Sequence, residues 1–203
     1  FWEGEGPGFS PLLFAMGAGA AAFSMCRQAV LAEGASDMVL LPSLIRLATG
    51  LPDLDYQVAQ GLANAHGSGI RVEEVAAKVV YLVDGDQGGS DHLTQLAKAG
   101  VSKSRMFPLP DGHAVEDLIE PADYLTVVNG FLNSIGQGKA FTAADLVEGE
   151  PIAKTFTSWA RANKAQIPSK VEVAYGLLRL KPLRLTTKGK RALKRLHEKF
   201  TDA

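Results

Sequence analysis

Cysteine is almost missing from these 203 residues: Cys26 stands alone. A disulfide framework is thereby excluded, and a reducing, cytoplasmic setting is expected. Cys26 itself reads as a small apolar residue near the start of a strand. No run reaches the roughly 18 uninterrupted apolar residues of a membrane span. The apolar stretch 11–26, behind Ser10, is short and rich in glycine and alanine. It follows Glu3 and Glu5 rather than basic residues, so it is expected to be a packing helix and not a signal peptide. Three chemical signatures are also absent. There is no GxxxxGK[ST] loop for a nucleoside triphosphate, no GxGxxG for a dinucleotide and no GxSxG nucleophile elbow. His66, His92, His113 and His197 share no metal-ligand spacing and are expected at surfaces or caps, His113 being notable for its nearness to Glu116.

Charge is plentiful and unevenly placed. Residues 1–153 carry 8 Lys/Arg against 19 Asp/Glu, whereas residues 154–203 carry 13 against 3, and the whole chain has a net charge of −1. An acidic body concentrates carboxylates that attract cations, and a basic tail suits a polyanion, nucleic acid first among them. The alternative is that the two parts neutralise each other across an interface.

The stretch VVYLVDGDQGGSD, residues 79–91, organises the rest. Residues 79–83 are apolar, β-branched or aromatic, as in a strand buried on both faces of a parallel sheet. Earlier strands are expected at 28–32 and, weakly, at 56–59, and a fourth at 105–109. Helices are expected at 37–48 behind Ser36, at 70–78 and from about 92 to 99 behind a Ser90 N-cap; Pro42 is a kink, and 62–69 a loop. After residue 121 the pattern turns helical, at 122–135, 142–147, 152–163, 169–180 and 187–200. The fold class is therefore α/β, a small parallel β-sheet flanked by helices and followed by an α-helical domain. The units are a leading helix or linker (1–26), an α/β unit (27–121) and a helical, basic unit (122–203).

Asp84 and Asp86 project together from the carboxyl end of a central strand, where open α/β sheets place ligands. Glu33, at the end of the first strand, and Asp37, on the next helical turn, join them if the two strands are neighbours. Glu116 or Asp117 closes the patch from the flank. Five or six carboxylates around one pocket cannot all ionise without cations. Hard oxygen ligands without sulfur favour Mg²⁺ or Mn²⁺, and Ca²⁺ suits the same ligands. Two such ions about 4 Å apart stabilise both the attacking and leaving oxygens of a phosphodiester. Other motifs fit poorly: Gln87-Gly88 departs from the phosphatase D-x-D pattern, and Gly88 occupies a position where a calcium loop needs an oxygen ligand.

Glu33-Gly34 after one strand, followed about fifty residues later by Asp84-Gly85-Asp86 after another, resembles a TOPRIM domain. Together with VLAEGASDMVLLPSLI, YLVDGDQGGSDHLTQL, HAVEDLIEP and IPSKVEVAYGLL, the chain most resembles the OLD (overcoming lysogenisation defect) family over residues 27–180. That resemblance implies a metal-dependent DNA endonuclease with a role in phage defence. It implies Glu33 as the central acid, ligating metal and acting in proton transfer, and Asp84 and Asp86 as paired ligands. Asp37 and Glu116 would complete the metal shell, Ser90 would add a hydroxyl, and Lys170 would be a catalytic cation. The alternatives are a plain helix cap for Ser90, a solvated basic residue for Lys170 and a helix-dipole partner for Asp117. Such proteins join the nuclease to an N-terminal ABC-type ATPase. ATP would therefore act only through a half that this chain, beginning at Phe1 and lacking a P-loop, is expected to be missing. A homodimer is compatible with this reading.

The C-terminal basic segment has two compatible readings. Arg179, Lys181, Arg184, Lys188 and Lys190, with Lys170, would meet the DNA phosphate backbone. Equally, Leu193, Leu196 and Phe200 give an amphipathic helix docked on the body with a solvated basic face. The rivals to hydrolysis are primase- or topoisomerase-like chemistry, for which no tyrosine is marked out as a nucleophile, and a non-catalytic DNA-binding module.

Overall fold

A computed structural model describes residues 28–60, 78–110 and 112–202. The expected helix at 11–26, Cys26, His66, the loop at 62–69 and all but the last residue of the helix expected at 70–78 lie outside them, Lys78 itself opening a strand. Four strands form one all-parallel sheet: β1 (Gln28–Ala32), β2 (Gln57–Gln60), β3 (Lys78–Val83) and β4 (Met106–Pro108), in the order β2-β1-β3-β4. The central pair aligns Val30 with Val80 and Leu31 with Tyr81. Residues 29–32 and 79–83 are at most 2% exposed, as expected of strands covered on both faces.

Period-two alternation divides these strands between two cores. Ala29, Leu31, Val79, Tyr81 and Val83 face α2 (Gln87–Lys98) through Leu93 and Leu96. Val30, Ala32, Val80 and Leu82 face α1 (Ala35–Thr49) through Leu40, Leu41, Leu44 and Ile45. Pro42 lies inside α1, and the helix ends at Gly50 in the left-handed region (φ 80°), whose N–H reaches the Arg46 carbonyl at 2.8 Å.

The α1 side continues into the C-terminal helices: α3 (Pro121–Ser134), α4 (Ile152–Ala162), α5 (Lys170–Arg179) and α6 (Thr187–Asp202). Val128, Phe156, Leu177, Leu193 and Phe200 share one apolar cluster with Leu82 and Leu40, so the core runs uninterrupted through residue 121. α1 packs on both α5 and α6. A buried Asp123 fastens the connection between those two helices. It accepts hydrogen bonds from the Arg184 backbone N–H at 2.7 Å and from its guanidinium at 3.0 Å.

Several expected elements differ in extent. α2 begins at Gln87, not near His92, and its N-cap is Asp86. Ser90 is the fourth residue of that helix. The cap moves because Asp86 Oδ1 accepts the Gly89 N–H at 3.0 Å, which starts the helix one turn earlier. α1 likewise begins at Ala35, ahead of Ser36, behind a Gly34 N-cap. The helix expected at 142–147 is a single 3₁₀ turn, Ala143–Asp145. There, Asn129 grips both backbone groups of Phe141, and Asp145 takes the N–H and hydroxyl of Thr142, holding the chain as a packed loop. β4 is shorter than expected, since residues 103–105 form a 3₁₀ turn before it.

Candidate metal centre

β1 and β3 are neighbours, but the helices that follow them leave to opposite faces of the sheet. Such a switch opens a crevice at the carboxyl ends of the two strands. Glu33 and Asp84, each the residue just past its strand, enter it side by side. The Asp84 backbone N–H donates to Glu33 Oε2 at 3.3 Å. Asp37, on the first turn of α1, is only 6% exposed, and it is steadied by the Gly34 N–H at 2.8 Å and the Ser36 hydroxyl at 3.3 Å.

The fourth acid comes from the chain after β4. That loop is tied to the Asp84-Gly85-Asp86 turn: Gly85 N–H reaches the His113 carbonyl, and Gly112 N–H the Gly85 carbonyl, both at 2.8 Å. The approach is so close that a side chain at Gly85 would stand 2.0 Å from the Pro110 carbonyl oxygen. The loop then enters a 3₁₀ turn, Val115–Leu118, with Glu116 3% exposed. Asp117 faces elsewhere. Its oxygens accept the N–H groups of Ala114 at 2.7 Å and Ile152 at 2.8 Å, closing the turn and holding the start of α4. Of the two candidates on the flank, Glu116 is the one that joins the cluster.

Lys170 is the first residue of α5, placed there by a capping box in which Ser169 Oγ accepts the Glu172 N–H at 3.1 Å and Glu172 returns to the Ser169 N–H at 2.7 Å. Because α5 packs on α1, the lysine meets the acidic cluster. Burial pushes the Asp84 carboxyl up to about 8, assisted by the negative charges of Asp37, Glu33 and Glu116 and opposed by Lys170. Burial raises Glu116 to about 7, with Asp37 adding and Lys170 opposing. Asp37 is raised by the same desolvation. For Lys170, desolvation pulls downward, but Glu116, Asp84, Asp37 and Glu33 outweigh it and raise the ammonium above its ordinary value. Four carboxylates and one cation thus share one field.

The remaining candidates stand further out. Asp86 is exposed, although its Oδ1 and Glu33 Oε1 come within 3.3 and 3.8 Å of the point a Gly88 Cβ would occupy. Asp84 and Asp86 therefore do not share one setting: Gly85 turns the chain between them, and Asp86 caps a helix. Ser90 is exposed. Arg179, Lys181, Lys188 and Lys190 are exposed, while Arg184 is held by Asp123. Two neighbours escaped sequence reasoning. His92 Nε2 lies 3.6 Å from Glu33 Oε1. With α2 started at Gln87, the spacing Gly89–His92–Leu93–Leu96 places that histidine on the face toward the strand ends. Lys154, on α4, pairs with Glu150 at 2.5 Å and feels the charge of Asp86. No sequence signal pointed to it.

Hard carboxylate oxygens gathered beside one lysine are donors of the kind that could hold Mg²⁺ or Mn²⁺. Among the described residues no three acids or histidines are already drawn to a common point. Among the described residues, too, no helix is long and apolar enough to cross a membrane. No family model and no curated protein matches this chain. Among solved structures it is similar to the C-terminal region of the Burkholderia pseudomallei OLD protein, at 14% identity and a TM-score of 0.47, over 88% of this chain and 98% of that one.

Proposed function

We propose that this chain is a divalent-metal-dependent DNA nuclease that hydrolyses phosphodiester bonds. The observation that carries this reading is the convergence of Glu33, Asp37, Asp84 and Glu116 from three separate segments, with Lys170 set against them. A scaffold has no use for burying mutually repelling carboxylates, a setting in which burial first and the neighbouring acids second push Asp84 up to about 8; a site that takes up cations does. Glu33, Asp37, Asp84 and Glu116 would hold Mg²⁺ or Mn²⁺, with Asp86 and the Ser90 hydroxyl at the outer edge. Bound there, the ions supply Lewis acidity to a phosphoryl oxygen and lower the pKa of water.

The chain's own groups would do the rest. Glu33, oriented by the Asp84 N–H and facing His92, is placed to accept a proton at the mouth of the crevice. Lys170 holds its proton firmly in the acidic field and is suited to stabilising negative charge on phosphate or the leaving oxygen. Tyr56, Tyr81 and Tyr124 are buried, so a tyrosine-linked strand passage would have to use the exposed Tyr175 on α5. The resemblance in the Glu33-Gly34 and Asp84-Gly85-Asp86 segments suggests the nuclease part of a larger ATPase–nuclease of the OLD type, with ATP acting through the ATPase half.

The test is nicking of supercoiled plasmid with Mg²⁺, Mn²⁺, Ca²⁺ or EDTA. Wild type should nick or linearise DNA with Mg²⁺ or Mn²⁺ and not with EDTA. Glu33→Ala and Asp84→Ala should each lose at least about a thousandfold in rate, the scale of removing a principal transition-state interaction, and Lys170→Met about a hundredfold. DNA bound but left intact with every metal would make this a binding module instead.

A further inference from the structure

α6 carries more cation than docking requires. Its buried side is Gly189, Leu193, Leu196 and Phe200. Lys188, Arg191, Arg195 and Lys199 follow at spacings of three, four and four, forming a stripe along one flank. This flank is not turned to open solvent alone. Lys188, Arg191 and Arg195 line a cavity of about 300 Å³ whose opposite wall is Pro110, His113 and Asp117. One turn further, the Lys199 ammonium stands 5.8 Å over the ring of Phe107 on β4. The helix start is pinned to the same wall: Thr186 N–H donates to the Leu118 carbonyl at 3.0 Å, and Thr186 Oγ1 accepts the Gly189 N–H at 2.8 Å. Among the described residues none of these four cations is in a salt bridge. Asp117, the acid among the described residues of the wall, already uses both oxygens on backbone N–H groups.

The opposite wall is the loop that carries Glu116 and is tied to Gly85. We propose that the groove between α6 and the wall formed by Pro110, His113 and Asp117 is a track for a DNA strand, in which Lys188, Arg191 and Arg195 grip successive phosphates and lead the backbone to the acidic crevice. At 1.5 Å per residue the stripe is about 16 Å long, enough for roughly five phosphates at 3.4 Å each along one strand. This assignment rests on the nuclease reading for its direction. It places the grip on Arg191 and Arg195 rather than on Lys190, which lies on the other flank, or Arg184, which Asp123 holds.

The test separates track from chemistry by measuring binding without cleavage. Anisotropy of a labelled 20-base-pair duplex is followed in EDTA across a salt series. Arg191→Gln/Arg195→Gln is compared with Lys190→Gln/Lys194→Gln, which removes the same charge from the opposite flank. The groove pair should weaken binding at least about tenfold at 0.1 M salt and lower the salt slope by about 1.8, or about 0.9 for each phosphate no longer neutralised. The control pair should change the slope by less than about 0.5. Equal losses from both pairs, no loss from the groove pair, or a wild type that does not bind would each overturn the track. Weakened binding in the groove pair alone upholds it, whether or not plasmid is cleaved.

Discussion

Asp84→Asn should make the metal-free protein more stable at pH 8 while abolishing cleavage. In the folded chain burial, with the neighbouring acids, pushes the Asp84 carboxyl up to about 8 from its ordinary value of 3.8. A carboxyl whose folded pKa lies above its unfolded one binds its proton more tightly in the native state. Its contribution is therefore fully present below about pH 4 and is lost as pH rises towards 8. Glu116, at about 7 against 4.5, acts in the same direction over a narrower window. Each group can cost at most about 1.4 kcal/mol per pH unit between those limits. Wild type in EDTA should melt at a lower temperature at pH 8 than at pH 6. Asp84→Asn, similar in shape and uncharged, should recover on the order of 2 kcal/mol at pH 8, or about 4–8 °C for a chain of this size. Differential scanning calorimetry at pH 6, 7 and 8 gives the answer. A variant no more stable than wild type at pH 8 would mean that burial and the neighbouring acids do not disfavour the charged Asp84.

Gly89→Ala should damage the fold and Gly88→Ala should not, although the two are adjacent. A Cβ on Gly89 would stand 1.9 Å from the Asp84 carbonyl oxygen and 2.8 Å from its carbon, both backbone atoms at the floor of the site. The first turn of α2 can sit there only without a side chain. Relieving the clash must move either the helix or the strand end, at an expected cost of about 3 kcal/mol or more. At Gly88 the new methyl would meet only the Asp86 and Glu33 carboxylate oxygens, at 3.3 and 3.8 Å. It should change stability by less than about 1 kcal/mol while crowding the acids. Urea midpoints compare the two directly, and equal values would show that the close approach is not a constraint.

Much of this arrangement could be read from the residues, for identifiable reasons. Gln28–Ala32 and the strand ending at Val83 are largely apolar, and strands buried on both faces announce themselves in this way. Glu33, Asp37, Asp84, Glu116 and Lys170 all stand out in the sequence, and the structure brings them into one field. The Asp84–Asp86 pairing rested on continuing the strand geometry through Gly85, where the chain turns. The start of α2 was hidden because Gly88 and Gly89 are poor helix formers, and the absence of a side chain at Gly89 is explained only by the tertiary approach to Asp84. His92 was passed over with it, since its face depends on where the helix begins. Residue spacing alone leaves Glu116 or Asp117 open on the flank; the resemblance points to Glu116, and the Ala114 and Ile152 N–H groups occupy Asp117. Arg184 reads as one more cation of a basic tail, and only its partner sixty-one residues earlier shows otherwise.

The central claim, that these acids form a cation site, is tested most directly by Mn²⁺ binding. Free Mn²⁺ is followed by electron paramagnetic resonance in chelator-stripped buffer at pH 6 and pH 8. Binding should be saturable, displaced by Mg²⁺, tighter at pH 8 because Asp84 and Glu116 must shed their protons, and abolished in Glu33→Gln and Asp84→Asn. Saturable binding that survives both substitutions, or no saturable binding at either pH, would contradict it.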